Sequence, residues 1–166
     1  MKLAQLKLDV AIQLKHQAWK RLLRPYCKTT QALCQAVLEE TRLARSDCFF
    51  EMAVVLADDA FIKELNCTYR GKDAPTNVLS FPSGDLPKRL VAKQTYALGD
   101  IVLAYETLER EAQEQHKDLK AHATHLITHG ILHLLDYDHM TPKEAEQMEK
   151  LEIKILKKQN ISNPYL

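Results

Sequence analysis

The 166-residue chain is 46% hydrophobic and 27% charged, with a formal net charge of +1 and a mean hydropathy of −0.32. These values are typical of a soluble globular protein, and the length suits one buried core, so residues 1–166 are predicted to form a single domain. No apolar run approaches roughly 18 residues, which excludes a membrane-spanning protein. The four cysteines are scattered and the first residues lack the apolar core of a signal peptide, so a reducing cytoplasm is predicted.

The first third of the chain combines a predicted strand with a basic segment. LKLDVAIQL (6–14) alternates apolar and polar residues, as a half-buried strand does. Residues 1–45 carry nine Lys/Arg against three acidic residues, and LKHQAWKRLLRPYCK (14–28) places Trp19 and Tyr26 among basic side chains. The segment is either an RNA-binding surface with rings for base stacking or a solvated helical face, and the second interpretation is favoured. Its basic residues are Lys15, Lys20, Arg21, Arg24 and Lys28.

Strands and helices alternate along the rest of the chain, which predicts an α/β (mixed α+β) fold with about four strands and about five helices packed on the sheet. The further strands are predicted at 49–57, 77–81 and 98–104, with 69–76 as a turn and 83–97 as a surface loop. Thr29 or Thr30 is expected to cap the first helix, Asp58 or Asp59 the second, and Thr141-Pro142 to begin the last. The helices are predicted at 30–44, 61–69, 105–117, 119–135 and 143–159.

Histidines are concentrated on the predicted helix over 119–135 and just beyond it. Six of the seven lie within 24 residues, at positions 116, 122, 125, 129, 133 and 139. His125, His129 and His133 are spaced i, i+4, i+8, so neighbours project from one helical face. The outer two, His125 and His133, lie about 12 Å apart along the helix axis, so histidines on three successive turns do not easily bind one metal ion. A third ligand should come from LLDYDH, in which His139 follows the end of the helix near Asp136.

The pattern His129-x3-His133-x5-His139 therefore predicts a three-imidazole zinc site with an open fourth position, the arrangement of a catalytic centre near the C-terminal half. Gly130 stands where the H-E-x-x-H peptidase helix has its glutamate, so the general base of a peptidase is missing and room is left beside the helix. His125 is interpreted as a residue of the helix face or one that supports a ligand, and His116 and His122 are expected to be exposed.

Three motifs resemble a known family. HLITHGILHLLDYDH (125–139) resembles the signature of the YbeY family of bacterial rRNA-maturation endoribonucleases, usually H-L-x-x-H-G-x-L-H-L-x-G-Y-D-H. LNCTYRGKDAPTNVLSFP (65–82) and LGDIVLA (98–104) are similar to two further blocks of that family, and the tail with EAEQMEKLEIKIL and NPYL is similar as well. One departure is Asp136, which stands where the family usually has a glycine in a left-handed conformation.

The resemblance implies a zinc-dependent, single-strand-specific endoribonuclease that matures the 3′ end of 16S rRNA and takes part in ribosome quality control. It assigns one zinc ion per chain to His129, His133 and His139, and makes Arg70 the substrate-contacting catalytic residue. Single-stranded rRNA, the small ribosomal subunit and the GTPase Era are the implied partners, with no membrane.

Chemistry supports these assignments but leaves alternatives open. An arginine pairs bidentately with phosphate, although Arg70 could instead form a structural ion pair with Asp73, and Lys72 is a candidate substrate-binding residue beside it. Asp136 and Asp138 are candidates to accept the second N–H of a ligand histidine, while the general base stays unassigned. Two other functions remain: a zinc hydrolase of another bond, such as a peptidase, and a non-catalytic assembly factor with structural zinc.

Overall fold

A four-stranded mixed sheet forms the centre of the protein in a computed structural model that describes residues 6–166. The part of the predicted domain that precedes Leu6 lies outside the described residues. The strand order is β1-β2-β4-β3, in which β3 alone pairs antiparallel. All four predicted strands are confirmed, although β4 begins inside the stretch predicted as a loop. The strands are β1 Lys7–Leu14, β2 Phe49–Ala57, β3 Val78–Pro82 and β4 Thr95–Ala104.

Six α-helices and one short 3-10 helix surround this sheet in the described part of the chain. The predicted α+β class is confirmed, and the helix that the sequence did not predict is α1, inside the basic segment. None of the described helices is long and apolar enough to cross a membrane. The helices are α1 Ala18–Leu22, α2 Tyr26–Glu39, α3 Asp59–Arg70, α4 Tyr105–Glu114, α5 Leu119–Leu134 and α6 Pro142–Lys158, with the 3-10 helix at Arg42–Arg45.

The helix starts follow side-chain caps at α3 and α6 but not at α2. Asp58 accepts a hydrogen bond from the backbone of Phe61, and Thr141 forms a reciprocal capping box with Glu144, which confirms both predicted starts. The expected cap of α2 by Thr29 or Thr30 is wrong, because that helix already begins at Tyr26 after Pro25. Pro25 precedes the first turn in an extended conformation, and no side chain caps this helix start.

Helix α5 packs across β3 and β4 and brings its backbone unusually close to the sheet at Gly130. A Cβ atom at this position would lie 3.2 Å from a methyl group of Val78 and 3.3 Å from one of Ile101. The Ser80 hydroxyl donates to the Gly130 carbonyl at 2.9 Å. The space that the sequence predicted beside Gly130 is therefore occupied by the sheet. The absence of a side chain at this position allows α5 to pack closely on β3.

The basic segment is not the stacking surface that its aromatic residues suggested. Trp19 is completely buried, and its indole N–H donates to the Ala57 carbonyl at 2.9 Å. Tyr26 packs partly buried against the main core. Trp19 is therefore unavailable for stacking and Tyr26 is only partly accessible, whereas the basic side chains between them are exposed. The segment can therefore offer positive charge to a partner, but Trp19 cannot offer a ring.

Candidate metal centre

Three histidine side chains converge at the C-terminal end of α5. His129 and His133 lie one turn apart on the helix, and His139 comes from the loop after it. One ring nitrogen from each lies within 4.8 Å of the other two, and the Nε2 atoms of His129 and His133 are 3.0 Å apart. The structure thus brings together the three histidines that the spacing selected.

A left-handed turn after α5 returns the chain toward the helix. Asp136 has a φ of 65°, and the next backbone N–H, that of Tyr137, donates to the Leu132 carbonyl at 3.1 Å. This closure ends the helix in the way a glycine normally would, at a modest conformational cost for aspartate. The reversal carries the chain back so that the His139 ring reaches the two helical histidines.

A buried carboxylate on α6 holds the first of these histidines. Glu152 is fully buried, and its Oε1 accepts a hydrogen bond from Nδ1 of His129 at 2.6 Å. Its Oε2 lies 3.3 Å from Nε2 of His125 and also accepts from the Tyr165 hydroxyl. Because the carboxylate fixes the proton of His129 on Nδ1, the Nε2 lone pair points toward the other two histidines.

The two aspartates that the sequence suggested for this supporting role lie elsewhere around the site. Asp136 and Asp138 are both exposed, and Asp138 accepts its hydrogen bond from the backbone N–H of His139 at 2.7 Å. Glu152 was missed because it follows His129 by 23 residues in sequence. One signal was present: Glu152 is an acidic residue within the apolar face formed by Met148, Ile155 and Leu156 of α6.

The surroundings of the cluster favour a neutral His133 and an ionised Glu152. Burial by itself would raise the pKa of Glu152, but hydrogen bonds from His125, His129 and Tyr165 outweigh it and lower the pKa to about 2. Burial, followed by the proximity of His129 and His139, lowers the pKa of His133. Neutral histidine is the form that binds a metal ion, so the lowered pKa of His133 favours metal binding by this residue.

The donor set fits a zinc ion. Within residues 6–166, no lysine or arginine lies within 4.0 Å of the Glu152 carboxylate, so its buried charge is balanced only through histidines and a hydroxyl. The 3.0 Å between two Nε2 atoms is close to the separation of about 3.3 Å expected for nitrogens that share a tetrahedral zinc. No fourth His, Cys, Asp or Glu of the described residues joins His129, His133 and His139, which leaves one coordination position open.

The cluster lies in a cleft of about 790 Å³, together with Arg70. Arg70 is the last residue of α3, and Gly71, with a φ of 66°, ends the helix behind it. The alternative pairing of Arg70 with Asp73 is not observed, because Asp73 lies 3.4 Å from Lys63 instead. Lys72 is exposed outside the residues that line the cleft. Arg70 is therefore exposed in the cleft that also contains the histidines.

The remaining histidines of this region serve other contacts. His125 lines the cleft and contacts Glu152, in keeping with a supporting role beside the cluster. The expectation that His122 is exposed is wrong, because it is buried and pairs with Glu111 at 2.8 Å. Glu111 also accepts hydrogen bonds from Asn77, which lines the cleft. His116 is exposed, as expected.

Known proteins are similar to this chain in both sequence and fold. A family model described as Endoribonuclease YbeY matches residues 12–160. The Endoribonuclease YbeY of Methylocella silvestris is 42% identical over 158 residues, which cover 95% of this chain and 85% of the relative. That of Rhizobium etli is 42% identical over 167 residues, which cover 96% and 94%. A solution structure from Thermotoga maritima matches with a TM-score of 0.55 and 26% identity over 92% of each chain.

Proposed function

The chain belongs to the YbeY family, and from this premise we propose that it is a zinc-dependent endoribonuclease that cuts single-stranded RNA. Its curated relatives carry the name endoribonuclease, which supports the reaction class. The single observation that supports zinc catalysis most strongly is the group of three histidines without a fourth protein ligand among residues 6–166. In this proposal residues 1–166 form one catalytic domain.

The histidines and their supporting carboxylate divide the binding of zinc between them. His129, His133 and His139 would hold the ion, while Glu152 keeps the His129 ring in the required orientation and tautomer. When bound, zinc supplies a Lewis acid that polarises a phosphoryl oxygen of the RNA. Because three neutral imidazoles do not reduce the net positive charge of the metal site, the site would attract an anionic substrate.

Arg70 provides the second positive group of the cleft. Its guanidinium can form two parallel hydrogen bonds to a phosphate, which orients the phosphodiester and stabilises the charge that develops in the transition state. Helix α3 and the turn at Gly71 present this side chain to the cleft that contains the histidines. Arg70 is thus proposed as the catalytic residue that contacts the substrate.

The cellular role proposed for the enzyme follows its family. We assign to it the maturation of the 3′ end of 16S rRNA and ribosome quality control in the cytoplasm, with the small ribosomal subunit and the GTPase Era as partners. Two competing functions are less well supported. A peptidase would need the helix glutamate that Gly130 replaces, and a structural zinc site would need a fourth protein ligand.

Zinc analysis and RNA cleavage by matched variants test the proposal. The purified protein should hold one zinc per chain and cut single-stranded RNA, and His133→Ala should lose most of both. Arg70→Lys should keep the zinc but lose cleavage by on the order of 100-fold, because a point-like ammonium cannot reproduce the guanidinium fork. His116→Asn is the control, since His116 is exposed with a φ of 52° that asparagine tolerates.

The outcomes separate the alternatives. Full zinc content in His133→Ala contradicts the ligand set. Normal zinc content without cleavage of any RNA by the wild type contradicts the nuclease and favours an assembly factor. Loss of soluble protein in both Arg70→Lys and Arg70→Ala would show that Arg70 is structural.

A further inference from the structure

An aromatic ring from the end of the chain forms part of the wall of the histidine cleft. Tyr165 follows α6 and lines the cleft together with His125 and Arg70. The residue is 45% exposed although its hydroxyl donates to the buried carboxylate of Glu152. A substantial part of this aromatic residue is therefore accessible to solvent in the cleft that also contains the three histidines.

The ring of Tyr165 contacts His125 and Glu152, and hydrogen bonds hold the backbone around it. Its centroid lies 5.6 Å from that of the His125 ring, with the two planes at 80°. The backbone N–H of Tyr165 donates to the side chain of Asn163 at 2.9 Å, and Lys117 donates to the Pro164 carbonyl at 2.8 Å. A ligand that stacks on this ring would pay little conformational entropy for ordering it.

We propose that Tyr165 forms a nucleobase subsite, on which one base of single-stranded RNA stacks while Arg70 and the metal centre engage the backbone. This proposal rests on the proposed function, because it assumes an RNA substrate. An exposed aromatic ring in a cleft with a cationic side chain is the combination that binds single strands without base pairing. A duplex cannot offer a base face in this way, so the subsite also selects for unpaired RNA.

Two substitutions at Tyr165 separate the ring from its hydroxyl. Tyr165→Phe and Tyr165→Leu both lose the hydrogen bond to Glu152, so they should have equal zinc content, but only phenylalanine keeps an aromatic face. We expect Tyr165→Phe to bind single-stranded RNA like the wild type and Tyr165→Leu to bind about 5- to 140-fold more weakly. Leu166→Ala is the control, because Leu166 is fully exposed at the chain end.

A scan with abasic nucleotides supplies a readout that a structural role would not change. In metal-loaded wild type, removing the base at one position of a short RNA should weaken binding more than at the others. Tyr165→Leu should show no such position, whereas Tyr165→Phe should show it unchanged. An identical abasic pattern in wild type and Tyr165→Leu, or equal affinities of the two, overturns the subsite alone. Failure of the wild type to bind or cut any RNA overturns the proposed function as well.

Discussion

Glu152 is the residue on which the geometry of the candidate metal centre depends most directly. Its carboxylate is fully buried, and its contact with His129 orients a proposed zinc ligand from the adjacent helix. Partners of this kind commonly contribute 10- to 100-fold to metal affinity, because they fix the ring and raise the basicity of the ligand nitrogen. We therefore expect this single carboxylate, outside the proposed ligand set, to have a measurable effect on metal affinity.

We expect Glu152→Gln to weaken zinc binding by about 10- to 100-fold, since the amide keeps the size of the side chain but removes its charge. Competition with a zinc chelator measures this affinity directly, without any assay of activity. Glu146→Gln is the matched control on the same helix, because Glu146 is exposed and pairs only with Lys150 there. Unchanged zinc affinity in folded Glu152→Gln would contradict the orienting role.

At the scale of secondary structure elements, a polar contact joins α4, α5 and β3 behind the cleft. Glu111 of α4 accepts hydrogen bonds from His122 of α5 and from Asn77, the residue before β3. Burial alone would raise the pKa of Glu111, but the hydrogen bonds from His122 and Asn77 outweigh it and lower the pKa. The ionised carboxylate therefore holds these elements together.

The lowered pKa predicts how stability depends on pH. A carboxyl group whose pKa is lower in the folded than in the unfolded protein stabilises the fold above its unfolded pKa, and this stabilisation is lost as the pH falls through the folded pKa. We expect Glu111→Gln to lower the free energy of unfolding by about 1–3 kcal/mol at neutral pH, and by progressively less below about pH 4. Urea unfolding of both proteins across this range measures the difference. A difference that is constant with pH would contradict the assignment to Glu111.

Periodicity predicted elements wherever local sequence determines them. The alternation in β1 predicted that strand, and the signals at Asp58 and at Thr141-Pro142 predicted the starts of α3 and α6. Helix α1 was missed because five residues are too few to show a period. The first residues of β4 resemble a loop in sequence, and their pairing with β2, which joins Thr95 to Phe49, is a non-local contact.

The residues of the candidate site were also predictable only where they lie close together along the chain. Helix geometry relates His129 to His133, and His139 follows within a span of eleven residues after the helix has ended. Glu152 and Tyr165 reach the site from α6 and the chain end, which approach α5 only in the folded protein. Spacing along the chain therefore predicts the proposed ligands but not the residues that support them.

At the scale of the whole molecule, charge is distributed unevenly. Residues 1–45 hold nine Lys/Arg against three acidic residues, while the later parts of the chain carry an excess of acids. Lys15 contacts the ring of Phe61 near the start of α3, with its Nζ 5.4 Å from the centroid. From Phe61 to Arg70 the helix rises about 14 Å, so α3 connects the basic segment to the cleft. A single strand a few nucleotides long could span this distance.

Neutralising the basic segment tests whether RNA follows this path. We expect a quadruple substitution to glutamine to weaken binding of single-stranded RNA and to reduce the slope of log affinity against log salt by about 0.7 for each phosphate that the protein no longer neutralises. Because Trp19 is buried, the effect should be purely electrostatic, and sensitivity to abasic positions and the zinc content should not change. The residues to be substituted are Lys15, Lys20, Arg21 and Arg24.

A second quadruple variant removes the same charge from other exposed positions and controls for net charge. Its substitutions to glutamine are at Lys88, Arg89, Lys120 and Lys157, none of which lines the cleft. If the basic segment contacts RNA, its variant should have the flatter salt dependence of the two, since counterion release depends only on the phosphates that the protein neutralises. Equal slopes in both variants would mean that the segment is a solvated face, and that RNA is bound only around Arg70 and the metal centre.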